Sequence, residues 1–289
     1  MSKFIKRCLL FLGIVVILNL AYFFILLNYS PGFSKINSIS KFENKEYDLL
    51  VLGNSMALDG IDADYLNQKG IKTYNLAVAG NHVATSLMMF EEYLKNNKAP
   101  KTVLVGLSSA VGQSFLNKVP YHNPEVDFFY KPSLWENIKN PPLLNFQWLA
   151  VDMMKIVISK DHRNAKMIEG QWRTEKVIPD NSVFNPLKQK KPDYSSPYLN
   201  KLINICREKN INIILVEMTG SNASRNELPF IYQIQLADKS KATVNNLNNF
   251  DIGNKIVNPK TDWLSPDHLN LHGAIKETEF IYNEILIKQ

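Results

Sequence analysis

Apolar and polar positions follow three rhythms along this chain. Residues 9–27 form one unbroken apolar run of nineteen residues, without a charge and with Asn19 as its one strongly polar side chain. Beyond it come short, nearly continuous apolar runs at 48–53, 73–78, 102–107 and 211–217. Runs of that length, bounded by turn residues, suit strands buried on both faces. Between them the apolar positions repeat at helical spacing. Val83, Leu87, Phe90 and Leu94 step by four, three and four, which predicts a helix with one core-facing stripe. A short helix is expected after Gly60, ended by Gly70 in the left-handed conformation that glycine favours. The succession strand–helix–strand–helix–strand with short connections predicts a parallel sheet with crossover helices.

The pattern is broken from about 108 to 195. Eight prolines interrupt this stretch and aromatic residues crowd it, among them Phe115, Tyr121, Phe128, Phe129, Trp135, Phe146, Trp148 and Trp172. One helix is expected over about 144–160. The stretch reads as an insertion covering the top of the sheet, either as a lid or acceptor-binding wall, or with its aromatics simply packing it down. Regular structure resumes at Ser196-Pro197, a helix start with proline at the first helical position. Residues 218–262 are rich in Asn and poor in apolar runs, and are expected to be mostly loop. A last helix is expected over about 266–287, with Ser265 able to cap it.

The chain has 289 residues, enough for an anchor and one sizeable core. The apolar run at 9–27 matches the roughly 20 residues needed to cross a bilayer core of about 30 Å. Lys3, Lys6 and Arg7 precede it, so the N-terminus is expected in the cytoplasm and the rest of the chain outside. The run is longer than the apolar part of a cleaved signal peptide, and no small-x-small site follows Leu27. The expected organisation is a cytoplasmic stub and signal anchor at 1–29, a polar tether at 30–46, and an α/β domain at 47–289. A net charge of +6 is modest and scattered, which argues against a nucleic-acid surface. The densest basic cluster, 188–191, reads as a solvated loop. Cys8 and Cys206 are the two cysteines, and Cys8 borders the apolar run, so no disulfide is expected.

Chemistry is sought where open α/β sheets carry it, past the carboxyl ends of the strands. The first strand ends in Gly53-Asn54-Ser55, which makes Ser55 a candidate nucleophile; a plain turn has the same composition. A serine hydroxyl needs a base within hydrogen-bond reach. The chain has five histidines, and the one set in a distinctive context is His268, in Ser265-Pro266-Asp267-His268-Leu269-Asn270. His272 lies four residues on, but without a His-Glu-x-x-His motif or a cysteine cluster no metal and no cofactor is expected.

Three segments, Leu-Gly-Asn-Ser at 52–55, Asn-Leu-Ala-Val-Ala-Gly at 75–80 and His-Leu-Asn-x-x-Gly-Ala at 268–274, together resemble the SGNH (GDSL-like) hydrolase superfamily. The resemblance is greatest to its membrane-anchored branch associated with O-acylation of cell-surface polysaccharides. It covers the two ends of the α/β domain and none of the middle. It implies a three-layer α/β/α fold around a mostly parallel, flavodoxin-like sheet, with Ser55 as nucleophile and His268 as base. It implies oxyanion donors at the main-chain N–H groups of Ser55 and Gly80, and an asparagine side chain from a later block. That asparagine has no counterpart at 106–109; Asn81 either substitutes for it or serves only as a turn residue.

The family pattern also places an aspartate three residues before the histidine, where this chain has Ser265. Three arrangements stay open: Asp267 orients the ring, Ser55 and His268 act as a dyad with a carbonyl orienting the ring, or the site is weak or inactive. Asp262, six residues before His268, is a further carboxylate in the neighbourhood. The resemblance implies an acetyl-transfer or esterase reaction on exported polysaccharide and a multi-span membrane acyltransferase as partner. The rival reading is an accessory subunit without catalysis that binds glycan or that partner.

Overall fold

The computed structural model describes residues 3–108, 116, 123–131, 133–159, 165–185 and 193–288. The chain divides into two compact units, Met1–Lys41 with Pro124–Arg163, and Phe42–Asn123 with Asn164–Gln289. Phe115, Tyr121 and the basic cluster at 188–191 lie outside the described residues.

The first unit is helical. Its α1, Lys3–Tyr29, is long and apolar enough to cross a membrane; a signal sequence has the same character. Up to Ile14 the helix is exposed on every side. From Val15 onward one stripe, Val15, Asn19, Tyr22 and Leu26, is partly or wholly covered. The stretch expected as a polar tether instead contains α2, Pro31–Ile39, because Ser30 caps it, Pro31 occupies its first turn, and Phe33 and Ile36 bury completely. Helices α6, Pro124–Tyr130, α7, Leu134–Lys139, α8, Pro142–Asn145, and α9, Gln147–Ser159, complete the unit. The single helix expected over 144–160 is thus two, parted at Phe146. The small core of the unit is Tyr22, Leu26, Phe33, Phe146 and Met153, with Phe128 and Phe129 packed against it. Phe33 is the hub, with ring centroids 4.8 Å from Phe129 and 5.0 Å from Phe146. Aromatics that gave the insertion its character therefore hold α6 and α8 to α1 and α2.

The second unit is built on a six-stranded, mostly parallel sheet. Strands β1, Leu49–Gly53, β2, Thr73–Asn75, and β3, Thr102–Leu107, are joined through α3, Ser55–Gly60, α4, Ala63–Gln68, and α5, Val83–Asn96. Strand β6, Asn212–Glu217, follows α10, Pro197–Glu208. The Asn-rich stretch expected as loop supplies two more strands, β7, Ile231–Gln235, and β8, Lys241–Asn246, and α11, Phe250–Ile256. Strand order is β2-β1-β3-β6-β8-β7, with only the β7–β8 pairing antiparallel. Those two strands, β7 at the edge and β8 beside it, lack apolar runs; Ile234 and Val244 are their apolar side chains that bury. The asparagines there are bonded to main chain. Asn246 Nδ2 donates to Leu228 O at 2.9 Å, and the Asn249 side chain caps α11.

Strand order reverses between β1 and β3: the chain leaves β1 for β2 on one side, then crosses to β3 on the other. Ser55 follows β1 at this switch point, where open α/β sheets bind their ligands. The sheet end is shaped for it. Gly53 and Gly106 sit opposite each other in register, and Ala57 of α3 lies directly over the pair. A Cβ on Gly106 would fall 2.5 Å from the Ala57 Cβ, and one on Gly53 2.6 Å. Two glycines thus let α3 lie flat on the strand ends.

A hairpin from the former insertion buttresses the same helix. Strands β4, Ala165–Ile168, and β5, Gln171–Thr174, turn at Glu169-Gly170, both at positive φ, as a two-residue hairpin turn of this twist requires. Gln171 Nε2 donates to Asp59 O at 3.2 Å, and Arg173 Nη2 donates to both oxygens of the fully buried Asp62, at 2.7 and 2.6 Å. Asp62 also caps α4 by accepting from Tyr65 N.

Candidate active site

Ser55 begins α3 directly after Asn54. Asn54 is extended and its side chain turns back to accept from Met56 N at 3.1 Å, which caps the helix and frees the serine to face outward. The amide of Asn54 donates to the buried Ser108 hydroxyl at 2.6 Å, just beyond β3. Asn54 thus does two jobs: it starts the helix and ties it across to the neighbouring strand. Ser55 is partly exposed.

His268 reaches the site by a different route from the one expected. The last helix, α12, starts at Leu271, and its cap is Asn270, which accepts from Gly273 N at 3.1 Å. Residues before it form a tight hairpin, β9, Trp263–Ser265, and β10, His268–Leu269. Ser265 and His268 are cross-strand partners around the turn Pro266-Asp267. Ser265 therefore caps no helix, and His268 shares no helical face with His272. Instead the Ser265 hydroxyl lies 2.7 Å from His268 Nδ1. With Nδ1 protonated, the ring donates to Ser265 Oγ and keeps a free lone pair on Nε2, the tautomer that a general base needs.

The carboxylates divide by role. Asp262 is buried, ion-paired with Lys276 at 2.6 Å, and accepts from Asn258 N at 2.7 Å, so it holds the loop to α12. Those hydrogen bonds and Lys276 outweigh its burial and keep its carboxyl below the ordinary range. Asp267, in the turn, is half-buried. Burial pushes its pKa up, with Asp180 adding to the rise and the neighbouring His268 opposing it. Burial also lowers the pKa of His268, and the charge of Asp267 offsets part of that. Asp267 thus acts on the ring through space, while Ser265 holds Nδ1.

The two halves of the site stand on adjoining elements. Helix α3 packs against β10, and Met56 and Ala57 share one core with Trp263 and Leu269. Ser55 and His268 are each next in sequence to members of that core. Among the described residues no hydrogen bond joins the Ser55 hydroxyl to the His268 ring.

Gly80 is exposed, at φ 65°, in the turn after β2. Asn81 is buried; its N–H donates to Val78 O at 3.2 Å and its amide to Ser86 Oγ at 3.0 Å, which braces the entry to α5. In this arrangement Asn81 braces the turn after β2. Another side-chain amide, Asn123 Nδ2, lies 3.5 Å from Ala79 O beside Gly80. Two neighbours of the candidate site, Gly106 and Ser108, and the contact of Ser265 with His268 were not expected from the sequence. The hairpin signal Ser-Pro-Asp-His would have pointed to Ser265; nothing local marks the other two.

No family model matches the chain, and no curated protein matches it. Among solved structures, one described as "The structure of a putative platelet activating factor from Streptococcus pneumonia" matches over 93% of this chain and 98% of its own, at 9% identity and a TM-score of 0.38. A likeness at that level carries no argument about activity.

Proposed function

We propose that this chain is a membrane-anchored serine acyl-transfer enzyme, an esterase or O-acyltransferase working through an acyl-Ser55 intermediate. The observation that carries the reading is the pairing of elements at the switch point: Ser55 opens a helix that packs against the hairpin presenting His268, whose Nδ1 is engaged by Ser265. His268 Nε2 takes the Ser55 proton as the hydroxyl attacks the acyl carbonyl. The imidazolium then returns that proton to the departing alkoxide, leaving the acyl group on Ser55. The main-chain N–H groups of Ser55 and Gly80 serve the oxyanion. A second oxygen nucleophile, water or a sugar hydroxyl, repeats the cycle in reverse. On this reading the second unit has the three-layer α/β/α arrangement of the SGNH fold. The α1 helix is an uncleaved anchor, the basic residues Lys3, Lys6 and Arg7 keep the N-terminus in the cytoplasm, and the site faces the periplasm or exterior. Exported polysaccharide is the acceptor, and a multi-span membrane acyltransferase delivers the acyl group.

One observation favours the second reading, an accessory subunit that binds glycan or that membrane partner without turnover. The partner of Nδ1 is a neutral hydroxyl, which stabilises an imidazolium less than a carboxylate does. Fluorophosphonate labelling of the full chain in detergent separates the two. Labelling in wild type that vanishes in Ser55→Ala supports the enzyme. A folded wild type that takes no label supports the accessory subunit.

A further inference from the structure

Helix α9 in the first unit presents apolar side chains on two sides. Its inner side, with Leu149, Ala150 and the buried Met153, packs on Tyr22, Leu26 and Phe33. Its outer side presents Trp148, Val151 and Met154, all more than half exposed, and Leu144 on α8 extends that surface. Apolar side chains on two sides of a helix suit a protein core or lipid, and no described element covers the outer side.

The depth at which this surface meets α1 indicates what covers it. Asn19 lies ten residues after Leu9 and eight before Leu27. At about 1.5 Å per residue that is about 15 Å and about 12 Å from the ends of the apolar run. Asn19 is thus near the middle of a span that matches a bilayer core of about 30 Å. It is here that α8 begins: Leu143 N donates to Asn19 Oδ1 at 3.0 Å. One turn further along α1, Tyr22 donates its hydroxyl hydrogen to Phe146 O at 2.7 Å.

Backbone in a bilayer core must satisfy every polar group without water. The main-chain N–H groups of residues 143–146 do this. Pro141 and Pro142 bring no N–H. Leu143 N goes to Asn19, Leu144 N and Asn145 N donate to Pro141 O, and Phe146 N donates to Pro142 O, each at 2.9 Å. Asn19 also closes on its own helix, donating to Val15 O at 2.9 Å. Two polar side chains of the apolar stretch of α1, Asn19 and Tyr22, therefore serve the main chain of α8. The sequence of α9 also contains Asp152 and Lys155, so the helix is not apolar throughout.

We infer that residues 141–154 form a re-entrant element in the membrane: α8 and α9 dip beside the C-terminal half of α1, and Leu144, Trp148, Val151 and Met154 face the acyl chains of that leaflet. The inference rests on α1 being a bilayer anchor. The first unit is then a membrane-embedded base, and the chain is more than a domain on a single-pass stalk.

Nitroxide accessibility in lipid nanodiscs tests it with the full chain. Single cysteines replace Leu144, Trp148, Val151 and Met154 in turn on a Cys8→Ser background; Cys206, fully buried, stays. Phe24→Cys reports on the exposed face of α1 and Ile231→Cys on water. Collision with oxygen several-fold above collision with a water-soluble nickel chelate, at the four sites and at 24 but not at 231, is the expected result. Lipid contact at 24 with water contact at the four sites overturns the re-entrant element and leaves the anchor standing. Water contact at 24 as well removes the anchor and the inference with it. Shielding of the four sites from both reagents assigns the surface to a protein partner and also overturns the inference.

Discussion

The Ser265 hydroxyl lies 2.7 Å from His268 Nδ1, held there by a two-residue hairpin turn in which the two residues face each other. The relationship gives the imidazole a hydrogen-bond partner at Nδ1 without supplying charge. Replacing Ser265 by Asp adds the missing charge at the same cross-strand position. The variant is expected to raise the His268 pKa and to increase acyl-ester hydrolysis about tenfold or more, since charge stabilisation of about 1.4 kcal/mol is a factor of ten in rate. Ser265→Ala, which leaves Nδ1 without its partner, is expected to lose about tenfold or more. Steady-state kinetics on p-nitrophenyl acetate measure both. Equal rates in all three proteins would show that the hydroxyl has no part in catalysis.

The pH dependence follows from burial. His268 sits below its ordinary value of 6.5, so it stays neutral, and able to accept a proton, into mildly acidic solution. The acid limb of kcat/KM is therefore expected to have its midpoint below 6.5. The Asp267 carboxylate raises the proton affinity of the ring, so Asp267→Asn is expected to move that limb further to acid. A limb that moves towards neutrality in this variant would contradict the assignment.

Gly106 makes a structural prediction. Its Cβ would lie 2.5 Å from that of Ala57, so Gly106→Ala must lift α3 from the strand ends. The expected cost is about 1–3 kcal/mol, as for overpacking generally, together with loss of fluorophosphonate labelling at Ser55. Ala57→Gly removes the opposing atom, and the double variant is expected to regain much of both. Urea unfolding and labelling of the four proteins complete the cycle; additive losses in the double variant would refute the steric account.

Glu277 on α12 is fully buried under the same helix. One oxygen accepts from Thr219 N at 2.9 Å, and the other faces Gly60 at the end of α3. Burial pushes its pKa up to about 7, against the Thr219 hydrogen bonds and the charge of Arg225, which favour the carboxylate. Unfolded, it titrates near 4.5. Between these values the folded chain holds a proton that the unfolded chain has released, so stability falls as pH rises through this window and levels off above about 7. At about 1.4 kcal/mol per unit the loss is on the order of 3 kcal/mol. Glu277→Gln cannot titrate, so denaturant titrations of wild type and variant from pH 5 to 8 are expected to diverge in the variant's favour as pH rises. Parallel curves would place the carboxyl elsewhere.

The central strands were legible because β1, β3 and β6 are buried on both faces and so carry apolar residues at almost every position. The edge strand β7 and its neighbour β8 were not, because at this margin of the sheet Tyr232, Gln233, Thr243 and Asn245 suffice, and their order comes from pairing rather than burial. The position of Ser55 directly after β1 was legible from the strand-Gly-Asn-Ser pattern, whereas the setting of His268 was not, since the expected helix start is a hairpin. The role of Ser265 was hidden because it depends on the β9–β10 register, while Ser-Pro reads equally well as a helix start. The pairing of Gly53 with Gly106 across neighbouring strands is a tertiary fact with no local trace. For α2, the cap Ser30-Pro31 was present in the sequence, but the polar residues around it masked the buried Phe33 and Ile36.

The first unit joins residues 1–41 to residues 124–163, with the opening strands of the sheet made in between. Synthesis from the N-terminus therefore delivers α1 long before α8 and α9 exist. During that interval Asn19 Oδ1 has not met Leu143 N and the Tyr22 hydroxyl has not met the Phe146 carbonyl, although the Asn19 amide already closes on Val15 O. On the proposed reading of α1 as a bilayer anchor, the nascent chain is then at its most dependent on whatever shelters such groups during insertion. The arrival of residues 141–154 releases that shelter and marks the moment at which the first unit becomes self-sufficient.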